Sequence, residues 1–289
     1  MEAAFFDLDK TVIARASMVA FGRPLYREGL ISRWLLLRAL YGQLVYLYLG
    51  ADEGRLQRMR DSVLALTKGW DQNHVRSIVR EALAEVVEPI VFAEALDLIA
   101  EHQEASRTVF IISASPEEIV VPVAEWLGVH DVIATRSHID DQGRYSGTLE
   151  FYSYGPAKAD AMRDIAAARD IHLDASYAYS DSATDLPMLE AVGHPVAVNP
   201  DRELLRAARE RDWEIRSFTQ PIRLRDRIPL PPAGPTAAVG GGAAAIAAGA
   251  AVWWWQRRES GRALPPPPPA GWDRFRRYAP SWRRLRRGR

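Results

Sequence analysis

The chain has 289 residues, of which 48% are hydrophobic and 26% are charged, and it contains no cysteine. This composition predicts a globular protein with a sizeable core, and it excludes disulfides, thiolate metal sites and a cysteine nucleophile. The formal net charge is zero, but eleven arginines against two acidic residues follow position 228, so a basic tail follows an equally acidic body. No basic and apolar leader precedes the first strand-like run, and we expect a cytoplasmic location for the body.

Short apolar runs alternate with helical patterns along the body of the chain. This alternation predicts an α/β fold with a doubly wound parallel sheet. The predicted strands are Ala3–Phe6, Thr108–Ile112, Val132–Thr135, Tyr177–Ser180 and Pro195–Val198. The predicted helices are Pro116–Leu127, Lys158–Arg169 and Asp201–Arg211. Residues 140–143, Asp-Asp-Gln-Gly, resemble a turn and predict a small hairpin within 132–149.

A helical insertion is predicted after the first strand, because about a hundred residues there are rich in Leu, Arg, Ala and Glu and contain no convincing strand. Such a block can cover a site and exclude water. Within it, Leu30–Gly50 is apolar nearly all round, but its uncharged stretch is too short to span a bilayer. We interpret this segment as a buried cap helix; a membrane-facing or acyl-binding surface is the alternative.

The C-terminal part changes character after residue 218. We predict a linker over 219–235, and over 236–255 a transmembrane or interfacial helix, since this uncharged Ala/Gly-rich segment ends in three tryptophans. Residues 256–289 form a Pro- and Arg-rich tail for which disorder is expected. Arginines with interspersed aromatic residues also suit nucleic acid, but the acidic body and the apolar segment favour an anionic membrane surface.

Two carboxylates follow the first predicted strand, in the run Asp7-Leu-Asp9-Lys-Thr11. At the C-terminal edge of a parallel sheet both can project into one site. One carboxylate can then attack phosphorus while the other handles the proton of the leaving group. Taken alone, Asp-x-Asp is also an ordinary helix-entry or turn pattern.

Ser113 and Lys158 are two further candidates, one after a predicted strand and one near the start of a predicted helix. The serine hydroxyl and the following backbone N–H groups can bind a phosphoryl oxygen, and the ammonium group can neutralise its charge. An N-cap serine and a solvated lysine are the ordinary alternatives. Because the chain has only three lysines, a lysine at this place is informative.

Asp181 and Asp185 follow another predicted strand and are spaced i, i+4. Carboxylates gathered with Asp7 and Asp9 at one sheet edge repel each other and need a cation. Oxygen ligands alone favour Mg²⁺. Helix capping is the alternative for this pair.

Together these four motifs, in this order and at these spacings, resemble the haloacid dehalogenase superfamily, and the helical insertion is similar to the cap of its phosphoserine-phosphatase-like branch, subfamily IB. The resemblance covers about residues 3 to 218. It implies a catalytic core of residues 1–11 and 91–218, with residues 12–90 as the helical cap.

The resemblance also implies a Mg²⁺-dependent phosphomonoester hydrolase that works through an aspartyl phosphate. Asp7 would be the nucleophile and Asp9 the acid and base. Mg²⁺ would be held by the Asp7 carboxylate, the Asp9 carbonyl oxygen and Asp181, with Asp185 orienting a metal-bound water or Lys158. Ser113, the Ala114 N–H and Lys158 would hold the phosphoryl oxygens.

One departure from the family concerns the substrate. Phosphoserine phosphatases carry a glutamate nine residues after the nucleophile, and here that position is Ala16. The substrate is therefore expected to be another small phosphorylated metabolite or, given the apolar cap helix and the tail, a phosphate on a lipid head group. Two alternatives stay open: a catalytically weak membrane-associated regulatory protein on the same fold, and phosphoryl transfer to an acceptor other than water.

Overall fold

A computed structural model of the chain describes residues 1–31 and 53–219. In these residues seven strands form one sheet in the order β4-β3-β2-β1-β5-β6-β7, with every neighbouring pair parallel except β3 and β4. The strands are β1 (Ala3–Asp7), β2 (Thr108–Pro116), β3 (Asp131–Ile139), β4 (Tyr145–Phe151), β5 (Tyr177–Ser180), β6 (His194–Val198) and β7 (Glu214–Arg216).

Helices cover both faces of this sheet. They are α1 (Ser17–Ala20), α2 (Gly22–Arg27), α3 (Glu53–Thr67), α4 (Gln72–Val87), α5 (Ala93–Glu104), α6 (Glu117–Trp126), α7 (Pro156–Arg169), α8 (Leu186–Leu189) and α9 (Arg202–Glu210). Two short 3₁₀ turns, Leu173–Ala175 and Ala183–Asp185, complete the regular structure of the described residues.

Strand β1 lies at the centre because its side chains are apolar on both faces. Ala4 and Phe6 belong to the core under α4, α5 and α6, whereas Ala3 and Phe5 belong to the core under α7, α8 and α9. A strand that is buried on both faces is typical of a doubly wound parallel sheet. The predicted α/β fold is confirmed.

The chain order reverses at β1, since β2 pairs on one side of it and β5 on the other. In an open α/β sheet this switch point opens a crevice beyond the carboxyl ends of the strands. Asp7 is the last residue of β1 and therefore stands at that crevice.

The predicted strands are all present, and the predicted hairpin is β3–β4. Strands β2 and β3 extend to Pro116 and Ile139, beyond their predicted ends at Ile112 and Thr135. Strand β7 was not predicted, because its three residues, Glu-Ile-Arg, are mostly exposed and lack a clear apolar pattern. Strand β7 is instead defined by its parallel pairing with β6.

The insertion after β1 contains α1, α2, α3 and α4, and none of its described residues lies in a strand. Nearly all of the apolar segment Leu30–Gly50 lies outside the described residues. The C-terminal predictions for 236–255 and 256–289, and nearly all of the 219–235 linker, also lie outside them. Within residues 1–31 and 53–219 no helix is long and apolar enough to cross a membrane.

The insertion is fastened to the core through the loop before α4. Gly69 N donates to Tyr145 O at 2.8 Å, and Tyr145 N donates to Trp70 O at 3.0 Å. Next to them, Gln72 Nε2 donates to the buried Glu118 carboxylate at 2.7 Å. The β3–β4 hairpin and the start of α6 thereby hold this part of the insertion over the sheet.

His102, in α5, is a buried imidazole away from the crevice. Its Nε2 is 2.8 Å from the Tyr179 hydroxyl, and its Nδ1 is 3.3 Å from Arg107 Nη1. Because a guanidinium only donates, Nδ1 accepts and the Nε2–H donates to the tyrosine oxygen, which describes a neutral ring. Burial lowers the pKa of His102 to about 4; the charges of Arg107 and Arg216 act in the same direction, and Glu2 opposes them.

We expect His102 to make the protein less stable in mild acid. Below its ordinary pKa of 6.5 the unfolded chain binds a proton that the folded chain does not, so stability is full above pH 6.5 and is lost as the pH falls toward 4. Between pH 7 and pH 5 this amounts to about 2 kcal/mol. Urea unfolding of the wild type and of His102→Gln at both pH values measures it, with the exposed His74→Gln as control. Equal losses in wild type and His102→Gln would contradict the prediction.

Candidate active site

At the end of β1, Asp7 meets a buried lysine and a second aspartate. Lys158 Nζ donates to Asp7 Oδ1 at 2.6 Å and to Asp185 Oδ2 at 2.9 Å. The side chains are 4% exposed for Lys158, 8% for Asp7 and 3% for Asp185, so little of this group is in contact with solvent. Ser180 Oγ donates to Asp185 Oδ2 at 2.7 Å, so that oxygen accepts from both Lys158 and Ser180.

Local structure brings Lys158 to this place. Gly155 precedes α7 with φ +57° and ψ −128°, a conformation that favours glycine, and Pro156 begins the helix. The sharp entry places Lys158 in the first turn, where it is buried. Asp185 ends the 3₁₀ turn that follows β5, and Ser182 caps that turn by accepting from Thr184 N.

The charges in this group depend on one another. Burial lowers the pKa of Lys158, but the carboxylates of Asp7 and Asp185 outweigh burial and hold that pKa above its ordinary value. Burial raises the pKa of Asp7, and the nearby charges of Asp185, Asp9 and Asp181 raise it further, against the opposing effect of Lys158. The Asp7 carboxylate is therefore short of positive charge even with Lys158 in contact.

Asp181 directly follows β5, the strand next to β1. Its side chain is 11% exposed, and Lys10 Nζ lies 3.8 Å from its Oδ2. The pKa of Asp181 is raised to about 6. Burial is the main cause, the nearby carboxylates of Asp185 and Asp201 raise the pKa further, and the ammonium group of Lys10 opposes them. Asp181 is thus a second carboxylate at this edge with too little compensating positive charge.

The Asp9 carboxylate is held by two serines. Its Oδ1 accepts from Ser17 N at 2.6 Å, and its Oδ2 accepts from Ser115 Oγ at 2.8 Å. Ser17 begins α1 in the insertion, and Ser115 lies near the end of β2. Asp9 therefore links the insertion to the core.

Ser113 stands on β2, one residue beyond Ile112, the partner of Asp7 in the β1–β2 register. Its Oγ accepts from Ser115 N at 3.1 Å, which leaves the hydroxyl hydrogen available for another acceptor. Thr135 Oγ1 donates to the Ala114 carbonyl oxygen at 2.7 Å, so that peptide is held from the neighbouring strand.

A profile of the haloacid dehalogenase-like hydrolases matches residues 4–190. The chain belongs to the haloacid dehalogenase-like hydrolase family. A Mycobacterium tuberculosis H37Rv protein named a probable phosphatase is 51% identical over 241 residues, which are 82% of this chain and 84% of the relative. A phosphoserine phosphatase of the same strain is 34% identical over 242 residues, or 82% of this chain and 77% of that one.

A crystal structure from Bordetella pertussis, of a protein with unknown function, aligns with a TM-score of 0.64 and 27% identity, covering 74% of this chain and 97% of that one. Family membership and the phosphatase names of the relatives identify this haloacid dehalogenase-like hydrolase as a phosphatase. The resemblance found in the four motifs is confirmed.

The donor groups of the site suit a hard divalent cation. Carboxylates outnumber ammonium groups by four to two, and the members are Asp7, Asp9, Asp181 and Asp185 against Lys10 and Lys158. In the described residues no three His, Cys, Asp or Glu side chains converge as metal ligands. The ligand set expected for Mg²⁺ does not require three such side chains. Only Asp7 and Asp181 would bind through side chains, while Asp9 would bind through its carbonyl oxygen. Excess negative charge and oxygen-only donors fit Mg²⁺.

All the predicted site residues lie near the carboxyl ends of β1, β2 and β5 or at the start of α7, and Lys158 directly joins Asp7 and Asp185. The contacts of Asp9 with Ser17 and Ser115 and the contact of Lys10 with Asp181 were not predicted. The Ser113-Ala-Ser115 spacing is a signal that could have identified Ser115, since alternate residues of a strand share a face. For Ser17 the sequence carries no such signal.

Proposed function

We propose that this phosphatase is a Mg²⁺-dependent phosphomonoester hydrolase that works through a phosphorylated Asp7. The observation that carries the proposal is the buried Lys158, whose ammonium group joins Asp7 to Asp185 at the end of the central strand. A carboxylate fixed in this way at a switch-point crevice is oriented for attack on a phosphorus atom.

Asp7 would act as the nucleophile, and Asp9 would donate and accept the proton. One oxygen of Asp7 forms a bond to phosphorus while the bond from phosphorus to the leaving oxygen breaks, and Asp9 gives its proton to that oxygen. In the second half, water attacks the phosphorus, the bond to Asp7 breaks, and the proton of the water passes to Asp9. Phosphate is released and both side chains return to their starting state.

The phosphoryl oxygens would be bound by the Ser113 hydroxyl, the Ala114 N–H and Lys158. The Asp7 and Asp181 carboxylates and the Asp9 carbonyl oxygen would hold Mg²⁺, which when bound neutralises phosphoryl charge. Asp185 accepts from Lys158, and we assign it the role of orienting that lysine. We also retain the division into a core, residues 1–11 and 91–218, and a cap, residues 12–90.

The leaving group of the substrate would be apolar. Ala16 stands where a phosphoserine phosphatase has a glutamate, so a partner for an amino group is missing at that position. Next to it, Met18 and Val19 are 39% and 40% exposed, and they adjoin Ser17, whose N–H contacts Asp9. Exposed apolar side chains that directly follow a residue in contact with Asp9 favour a hydrocarbon part on the substrate, such as that of a phosphorylated lipid head group.

A panel of phosphomonoesters with and without Mg²⁺ tests the reaction. We expect phosphate release that requires Mg²⁺ from several members of the panel, with an added alcohol reporting any transfer to an acceptor other than water. Absence of release across the whole panel would contradict the proposal and favour a regulatory protein on this fold.

The same panel tests the substrate class if it pairs each soluble phosphate with an acylated counterpart in mixed micelles. We expect a higher kcat/KM for the acylated member of each pair, and Met18→Ser with Val19→Ser should reduce that preference. Equal rates for both members would reject the lipid substrate and leave a small soluble phosphate as the substrate class.

A further inference from the structure

The Asp9 carboxylate is held at both of its oxygens by groups outside the first motif. The Ser17 backbone N–H binds Oδ1 at 2.6 Å, and the Ser115 hydroxyl binds Oδ2 at 2.8 Å. Ser115 is 6% exposed and Ser17 is fully buried. Charge-assisted bonds of this length are strong, and two of them fix the carboxylate plane.

The direction of the Ser115 hydroxyl is itself fixed. Ser17 Oγ donates to Ser115 Oγ at 2.8 Å, so Ser115 accepts from Ser17 and passes its own hydrogen to Asp9. Ser115 N also donates to Ser113 Oγ. The hydroxyl of Ser115 therefore has a defined place and a defined role as a donor.

We propose that Ser115, supported by Ser17, is a positioning residue for proton transfer by Asp9. The inference rests on the proposed function. When Asp7 bonds to phosphorus and the leaving oxygen takes the Asp9 proton, Asp9 becomes a carboxylate with acceptors at both oxygens. That is the form that the Ser17 N–H and the Ser115 hydroxyl bind, so the pair stabilises Asp9 at the moment its proton leaves.

The leaving group provides a test that a merely structural role would not affect. p-Nitrophenolate departs with little need for a proton, whereas an alkoxide must be protonated as it leaves. We compare p-nitrophenyl phosphate with glycerol 2-phosphate, or with the alkyl phosphate of the panel that the wild type hydrolyses fastest. In Ser115→Ala, kcat/KM for the alkyl phosphate should fall at least about tenfold more than kcat/KM for p-nitrophenyl phosphate.

The ratio kcat/KM reports the steps up to the transfer of the phosphoryl group, so the later attack of water does not enter the comparison. Ser77→Ala, at an exposed serine of α4 whose hydroxyl bonds to the His74 carbonyl oxygen, is the control and should leave both values unchanged. Ser115→Thr keeps a hydroxyl and should restore the ratio toward that of the wild type. Ser17→Ala should shift the ratio in the same direction, and it provides the test if Ser115→Ala does not fold.

An unchanged ratio between the two substrates in folded Ser115→Ala and in Ser17→Ala would overturn the positioning role. That result leaves the proposed function intact as long as Asp7→Asn is inactive. Undiminished hydrolysis by Asp7→Asn would instead overturn the proposed function, so the two failures are distinguishable.

Discussion

Asp7→Asn is expected to lower kcat for Mg²⁺-dependent phosphate release by at least about 10⁴-fold, the scale seen when a nucleophile is removed. Asparagine has nearly the same size, but its amide cannot form the bond to phosphorus that the proposed reaction needs. The proposed binding of the phosphoryl group through Ser113 and Lys158 would not replace that step. The loss should therefore appear in kcat for every substrate of the panel.

The same substitution should leave the fold nearly as stable as before. Burial raises the pKa of Asp7, so the folded protein gains little from keeping a charge there, and Lys158 still has Asp185 at 2.9 Å. We expect the free energy of unfolding to change by no more than about 2 kcal/mol. Urea unfolding measures this change alongside the activity assay.

Asp160→Asn is the matched control for Asp7→Asn. Asp160 is an exposed residue of α7 that pairs with Arg163, so its loss should change neither kcat nor stability beyond error. Mass spectrometry after acid quenching adds a direct readout, because the wild type should carry one phosphoryl group and Asp7→Asn none. If the Asp7→Asn protein became phosphorylated, another residue would have to be the nucleophile.

The ends of β1 and β5 were predictable to within one residue because each is an apolar run followed by a polar residue, whereas β2 continues beyond its predicted end to Pro116. That pattern identifies Asp7, Ser113 and Asp181, and the parallel order of β1, β2 and β5 then requires their carboxyl ends to lie side by side. Short stretches of sequence were sufficient to predict these three positions, because an apolar run indicates a buried strand and the polar residue after it indicates the edge of the sheet.

The orientation of Asp9 was not predictable in the same way. Its partners come from the start of α1, eight residues later in the chain, and from a strand 106 positions away, and no local pattern relates these residues. The same holds for the contact between Lys10 and Asp181, which depends on how the chain turns after β1. Contacts of this kind follow from tertiary packing rather than from periodicity.

Lys158→Met is expected to reduce both stability and activity. The substitution leaves Asp7 and Asp185 buried with no ammonium group between them, and breaking a buried charge pair from one side costs about 3–5 kcal/mol. Urea unfolding without Mg²⁺ should show this loss. Replacing the exposed Lys68 by Met is the control and should change the free energy of unfolding by less than about 0.5 kcal/mol.

A second substitution distinguishes the loss of stability in Lys158→Met from the loss of activity. It removes one of the two buried carboxylates that this variant leaves without an ammonium group. Adding Asp185→Asn to Lys158→Met should recover part of the lost stability, because one uncompensated buried charge disappears. Activity should not recover, since no ammonium group is left to bind the phosphoryl oxygens and to hold Asp7. Additive losses of stability in the double variant would mean that Lys158 and Asp185 do not interact energetically, against their 2.9 Å contact. Recovery of activity would show that the charge of Lys158 serves the fold and not the reaction.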